Sequence, residues 1–392
     1  MRAMGPLSGF RILEFAGIGP GPFCAMMLAD MGAEIIRVDR TAGSARTIAV
    51  DATLDVVARG RKSIALDLKN PQAIEVALRL CRGADALIEG FRPGVMERLG
   101  LGPDACSAAN PALVYGRMTG WGQTGPMAQL AGHDINYLAL SGDLHMFGRA
   151  EERPGAPLNL VADMGGGGMM LAFGITCALL ERQRSGRGQV IDAAMFEGAA
   201  TLASSIWSQM AMGWWKPERG ANLLDSGAPF YEVYETSDGR HVAIGAIEPQ
   251  FYRLLLQGLG LDPAALPAQM DRGSWPAMKQ RFADIFRRQT RAHWERVFEG
   301  SDACFAPVLT PQEAVTHPHA VARGSFTRTR GLLHPAPAPR FSRSGTARLS
   351  DPPHIGQHTR QVLGEFGFEA AEIGALLECG AVRQQADGGA VG

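Results

Sequence analysis

Phe10-Arg-Ile-Leu-Glu-Phe15, then Ala16-Gly-Ile-Gly-Pro-Gly-Pro22, then the helix-forming run Phe23 to Met31, then the apolar run Ala33 to Val38 closing on Asp39-Arg40: in that order these residues read as strand, tight turn, helix and strand. Short apolar runs separated by a helix-length segment are the unit of a parallel α/β layer. The turn imitates a dinucleotide fingerprint, with Gly17 and Gly19 in place and Asp39 about twenty residues on. The imitation fails at Pro22, where the third glycine should stand. Pro20 and Pro22 also remove two backbone N–H groups that a pyrophosphate would use, so a nicotinamide cofactor is not expected.

The same alternation continues outward. Ser63 to Leu68 reads as strand, Pro71 to Cys81 as helix, and Ala86 to Glu89 and Ala112 to Met118 as strands. A small-residue helix is expected from Gly167 to Arg182, a strand from Val190 to Ala193, and a long helix from Phe196 to Met212. Alternating strands and helices predict an α/β fold, a Rossmann-like large domain with an open parallel sheet, over 1–193. Residues 194–232 read as a linker helix. Tyr231 to Thr236 and Arg240 to Ala246 alternate in β fashion across Ser237-Asp-Gly239, a hairpin signal, and helices are expected at Pro249–Leu259, Ser274–Arg288 and Arg291–Phe298. These make 233–321 a smaller α+β domain. A second linker is expected over 322–337, its extended character resting on Pro335-Ala-Pro-Ala-Pro339; a pair of helices from Thr359 to Leu377 returns to the large domain over 338–380. Residues 381–392 read as a disordered tail.

At 392 residues and 46% hydrophobic, the chain can bury a large core, and a formal net charge of -1 gives no reason to expect nucleic acid as a partner. No apolar run reaches the ~18 residues of a membrane span. Met1-Arg-Ala-Met-Gly-Pro-Leu-Ser8 lacks the apolar core of a signal peptide, and Ala390-Val-Gly392 is not a peroxisomal Ser-Lys-Leu signal, so a cytoplasmic location is expected. Six cysteines, at 24, 81, 106, 177, 304 and 379, form no Cys-x-x-Cys pair, which argues for packing roles. The histidines show no ligand spacing, and no metal is expected.

Two groups could carry protons. His133, in Ala131-Gly-His-Asp-Ile-Asn-Tyr137, opens a helix, where the macrodipole disfavours the imidazolium and leaves a base; a capping or core histidine is the alternative. Asp163 ends the apolar stretch Leu158 to Ala162 and precedes four glycines; it is either a proton carrier or a helix-start acid beside glycines that permit close packing. Glu248, before Pro249, either complements a helix dipole or orients a histidine. Arg40 ends a strand, Arg59-Gly-Arg61-Lys62 precedes one, and Arg92 and Arg98 follow one. Guanidinium groups at the carboxyl ends of parallel strands suit phosphates.

Seven ordered motifs then resemble the α-methylacyl-CoA racemases of the family III CoA-transferase fold: Gly5-Pro-Leu-Ser-Gly9, Ala16–Pro22, Glu89-Gly-Phe-Arg-Pro-Gly-Val95, Gly120-Trp-Gly-Gln-Thr-Gly-Pro126, Ala131–Tyr137, Pro157-Leu-Asn-Leu-Val-Ala-Asp163 and Gly245-Ala-Ile-Glu-Pro-Gln-Phe-Tyr252. The resemblance implies an interlocked homodimer, each active site combining the large domain of one chain with the small domain of the other. It implies a 2-methylacyl-CoA substrate, coenzyme A being part of the thioester and no separate cofactor. By the same resemblance His133 is the base for the S substrate, Asp163 the acid-base for the R substrate, Glu248 the partner of the histidine, and the Asp134 amide the donor to the thioester oxygen. Ile18, Arg40, Leu66, Asp67, Leu68, Lys69, Gly90, Phe91, Arg92, Arg98, Gly132, Ile135, Asn136 and Tyr137, with His133 and Asp134, are implied coenzyme A contacts. Met164, Met169, Met170, Met210 and Met212 offer deformable surface for varied acyl chains, or ordinary helix core. The rival activity is CoA transfer with Asp163 as covalent nucleophile; acyl-CoA binding without catalysis is a third reading.

Overall fold

The computed structural model describes residues 5–41, 51, 54–329, 331–345 and 350–385. The chain divides into two compact units, one made of residues 1–141, 158–202 and 324–392, the other of 142–157 and 203–323.

The first unit is built on strands β1 (Arg11–Phe15), β2 (Glu34–Arg40), β3 (Arg61–Leu66), β4 (Ala86–Glu89), β5 (Val114–Thr119) and β6 (Val190–Ala194), all parallel, in the spatial order 3-2-1-4-5-6. The order reverses between β1 and β4, and a ligand crevice forms outside the carboxyl ends of strands at such a switch point. Leu13, Ile36, Ile64 and Leu87 are fully buried in the sheet's core. Helix α1 (Pro20–Asp30) follows β1 directly, and Pro20 serves it well because an N1 residue needs no amide. Gly19 supplies the φ of 70° and ψ of -121° that the turn demands. Helix α2 (Pro71–Arg82) is capped by Asn70 and buries Ala73, Val76, Ala77 and Leu80 on one face.

Helix α3 (Asp134–Ser141) comes after the loop that leaves β5. A π-helical segment, Leu160–Met169, runs without interruption into α4 (Met170–Ser185), and α5 (Met195–Leu202) leaves β6. The expected helix start at Gly167 is therefore too late. The glycines are helix interior, because their missing side chains let neighbouring backbones close in: a Cβ on Gly198 of α5 would lie 1.8 Å from the carbonyl oxygen of Gly166. The joined helix Leu160–Ser185 is long and apolar enough to cross a membrane by length and composition, contrary to the expectation that no such run exists; Leu171, Ala172, Ile175 and Leu179 bury one side of it in the unit, and Phe173 and Leu180 are exposed.

The C-terminal residues correct two further expectations. Phe326–Thr329 and Leu332–Pro335 pair as an antiparallel hairpin inside the segment read as linker. Val382–Arg383 pairs antiparallel with β3, and Ala381 and Val382 are buried, so the tail's first residues complete the sheet edge; 386–392 lie outside the described residues.

The second unit includes residues 142–157, which the sequence reading gave to the large domain. Helix α6 (Ser204–Ala211) is separate from α5, the helix read as continuous being interrupted at Ala203. Strands β7 (Tyr231–Glu235), β8 (His241–Gly245) and β9 (Phe305–Pro307) form an antiparallel sheet. Helices α7 (Pro249–Gly258), α8 (Trp275–Phe286) and α9 (Arg291–Val297) supply an aromatic core in which Phe230, Tyr234, Phe282, Phe286 and Trp294 are buried.

Candidate active site

His133 precedes the first residue of α3, and its carbonyl accepts from the amides of Asn136 (2.8 Å) and Tyr137 (3.2 Å). The Asn136 side chain reaches back to the His133 amide at 3.0 Å, half of a reciprocal cap that fixes the backbone carrying the imidazole. The imidazole is on an exposed residue. Asp134 follows at the helix start, where an amide has no intrahelical acceptor and is free to meet an oxygen carrying developing negative charge.

Asp163 lies in the first turns of the π-helical segment. π-helical geometry is rare, and its usual form, a single-turn bulge within an α-helix, is frequent at functional sites. The amides of Ala162 and Asp163 donate to one carboxylate oxygen of Asp134, each at 2.8 Å, so α3 and the π-helical segment are joined by a side chain that caps a helix other than its own. Asn159 donates to Asp163 Oδ2 at 3.4 Å, and Gly19 faces the same oxygen, a Cβ built there lying 3.5 Å away. Burial raises the Asp163 pKa, the Asp134 charge raises it further, and the Asn159 hydrogen bond and His133 oppose them. A carboxyl so placed is a better proton donor and acceptor near neutral pH than a solvated aspartate. Tyr137, wedged against Trp121 with ring centroids 4.8 Å apart, has its hydroxyl pushed up to about 12 by burial and by the charges of Asp163 and Asp134.

The implied coenzyme A contacts fall at the carboxyl ends of the parallel strands: Ile18 after β1, Arg40 at the end of β2, Leu66 to Lys69 at and after β3, Gly90 to Arg92 and Arg98 after β4, and Gly132 to Tyr137 after β5. Arg40, Lys69, Arg92 and Arg98 are exposed and form no ion pair with a described residue. Leu66 is fully buried, so only its backbone is available to a ligand. Ile135 and Asn136 are exposed on the first turn of α3. The loop after β4 is held by Glu89, which accepts from the Phe91 amide at 2.8 Å and pairs with Arg117 at 2.9 Å, while Arg117 also grips Glu97 at 2.8 Å. Burial raises the Glu89 pKa despite that guanidinium. Asp67 stabilises its own turn by accepting from the Lys69 amide at 3.2 Å.

Arg59 and Arg61 are not phosphate ligands. Both are buried, Arg59 against Asp30 at 2.6 Å and Arg61 against Glu14, and Lys62 bridges Glu34 and Glu365. Of the methionines, Met169, Met210 and Met212 are exposed and Met164 and Met170 half-buried. Cys24, Cys81 and Cys106 are buried packing thiols, and Cys177, Cys304 and Cys379 are exposed.

In the second unit, Glu248 occupies the position before α7 without capping it. Gln269 donates to the carbonyls of Ala246 and Ile247 at 3.1 and 2.8 Å and so fixes the segment leading to that carboxylate. Burial and the Glu248 charge both raise the Cys304 thiol.

The sequence reading missed the Asp134 side chain and Asn159. Asn159 was legible as a residue one helical turn before Asp163; the Asp134 contact links residues 28 and 29 apart and had no local signal.

Residues 7–359 match the CoA-transferase family III model. The chain is 52% identical over 369 residues to the alpha-methylacyl-CoA racemase of Mus musculus, covering 94% of this chain and 95% of that one, and 50% identical to the Homo sapiens racemase over the same shares. Similarity to the Homo sapiens succinyl-CoA:glutarate CoA-transferase is 28% over 409 residues, covering 98% and 91%. The crystal structure of a CAIB/BAIF family protein from Brucella suis superposes with a TM-score of 0.79 at 26% identity, over 93% of this chain and all of that one.

Proposed function

We propose that this chain, which belongs to CoA-transferase family III, is an α-methylacyl-CoA racemase that interconverts R and S 2-methyl-branched acyl-CoA thioesters by abstracting the α-proton and reprotonating the carbon on its opposite face. The observation that carries the reading is the junction of His133 and Asp163 through Asp134. Two proton carriers of different chemistry stand on elements fixed to each other, and an unpaired helix-start amide lies between them in sequence.

In the S-to-R direction the C–H electron pair moves into the thioester as an enolate while His133 takes the proton, and Asp163, protonated, returns one to the opposite face. The reverse direction exchanges the roles. The Asp134 amide meets the enolate oxygen, where a preorganised donor contributes most. Each positioned acid or base contributes roughly 10²- to 10⁴-fold. Arg40, Lys69, Arg92 and Arg98 hold the phosphates of the coenzyme A moiety.

The working form is an interlocked homodimer in which Glu248 of one chain orients His133 of the other. Exposed Phe173, Leu180 and Val190 on α4 and the edge strand β6 support a covered face, as do Trp207, Met212 and Trp214 in the second unit. Light scattering after size exclusion checks the dimer, and a monomer at micromolar concentration would refute it.

The decisive experiment is proton NMR of a pure S-2-methylacyl-CoA with the protein in D₂O and no acceptor acid. Loss of the α-proton with appearance of the R epimer is expected. An unchanged spectrum from folded, CoA-binding protein would instead favour CoA transfer with Asp163 as nucleophile.

A further inference from the structure

We propose that the side chain of Asp134 is a positioning residue for proton transfer, its carboxylate fixing the Asp163-bearing turn against the helix start that carries His133. The inference deepens the racemase reading and rests on it.

Asp134 is 5% exposed. An acid in the first turn of a helix ordinarily serves that helix, facing its own amides or solvent. Here one oxygen is spent on the amides of Ala162 and Asp163, and the other is buried without a hydrogen-bond partner among the described residues. Leaving a buried carboxylate oxygen unpaired is costly. An asparagine would satisfy both amides through its carbonyl oxygen, so the amide contacts alone do not call for a negative charge.

What the charge adds is its proximity to Asp163. The ionisable groups acting on Asp163 are Asp134 and His133, contributed by α3 and the residue preceding it, and the charge of Asp163 in turn raises the Tyr137 hydroxyl. Asn159 adds a hydrogen bond from the π-helical segment's own start. Helix α1 with its turn and helix α5 offer that segment apolar or glycine contacts, Gly19, Pro20 and Phe23 from the first and Met195, Gly198 and Leu202 from the second. Arg117 of β5 and Asp192 of β6, the charged residues of the two strands that also pack on it, do not act on Asp163. Burial is the main cause that readies Asp163 to hold a proton, Asp134 is the negative neighbour that adds to it, and it is the same residue whose amide is placed for the enolate oxygen. Donor and proton carrier are set by one side chain, so a displacement of either moves both.

The test compares Asp134→Asn and Asp134→Ala with wild type. The Asp163 carboxyl is followed by carbon NMR of protein labelled at aspartate, the resonance identified by its loss in Asp163→Asn. In Asp134→Asn the Asp163 titration is expected to move to lower pH, and the acidic limb of kcat/KM for the R substrate to move with it, while KM changes less than about twofold. In Asp134→Ala the turn also loses its cap, and kcat is expected to fall about 100-fold, the cost of a displacement of about 1 Å at a reacting centre. If Asp134→Ala does not fold, the asparagine variant carries the test alone. An Asp163 titration unmoved in Asp134→Asn overturns the proposal. Absence of α-proton exchange in wild type overturns the racemase reading, and the carboxyl titration still decides the electrostatic role of Asp134.

Discussion

Arg59, Arg61 and Arg117 are buried in the first unit and each grips a carboxylate, Asp30, Glu14 and Glu89, that is itself buried; Arg40, Lys69, Arg92 and Arg98 stand exposed at the carboxyl ends of β2, β3 and β4 and pair with no described residue. The side chains are chemically alike. What separates them is whether the fold supplies a partner. A buried pair holds shape at the expense of desolvation, and removing one member strands the other. An exposed cation beside a ligand crevice costs the fold little and is available to an anion. Asp163 belongs with the second set: it is partly buried, it makes no ion pair with a described residue, and its pKa is raised, as suits a group that must exchange protons.

The largest effect expected on the functional side of this contrast is at Asp163. Asp163→Asn should lower racemisation roughly 10²- to 10⁴-fold in a D₂O exchange assay, with the thermal unfolding midpoint at pH 7 no lower than wild type. An active variant would remove Asp163 from the chemistry. On the structural side, Arg61→Met should cost about 3–5 kcal/mol by leaving Glu14 buried and unpaired, measured by urea denaturation. A stable variant would place Arg61 with the exposed group and erase the distinction.

Arg92→Ala should raise KM for acyl-CoA about tenfold, consistent with one lost charge-assisted hydrogen bond, while leaving the unfolding midpoint within experimental error. Loss of stability without a change in KM would show that its exposure is misleading. The smallest effect concerns pH. Since the folded pKa of Asp163 is above its unfolded value, the native state binds more protons between the two, and stability falls as pH rises through that window. Asp163→Asn escapes this loss, so its midpoint should exceed that of wild type at pH 7, and the difference should shrink as pH falls through the folded value and be gone below the unfolded one. A constant difference across pH would mean that the gain comes from something other than ionisation.

The sequence made the sheet readable because β1, its glycine turn and α1 form a local unit whose periodicity and punctuation agree. It made His133 readable for the same reason, since a histidine after glycine at a helix start needs only neighbours. The environment of Asp163 was not readable. Four glycines look like a break, yet they sit inside a helix because α1 and α5 press their backbones against it, and no local rule reports a distant backbone. Arg59 and Arg61 were misread for a similar reason: adjacency to a strand was visible, but Asp30 and Glu14 were not visible as partners. The strand Val382–Arg383 escaped notice because two residues carry no periodicity and β3 supplies the reason for their order.

That last strand bears on how the protein is made. The antiparallel edge of β3 is closed by Val382 and Arg383, and the amide of Asp67 is satisfied by the carbonyl of Ala381. At roughly 5–20 residues per second, a ribosome leaves β3 with an open edge for on the order of 15–60 s before its partner is synthesised. During that interval an unpaired strand is a template for wrong pairing. The second unit, which comprises residues 142–157 and the continuous stretch 203–323, is meanwhile synthesised in full. Nascent chains should therefore show a protease-resistant second unit before the first, and should depend on chaperones longest at the edge that closes last.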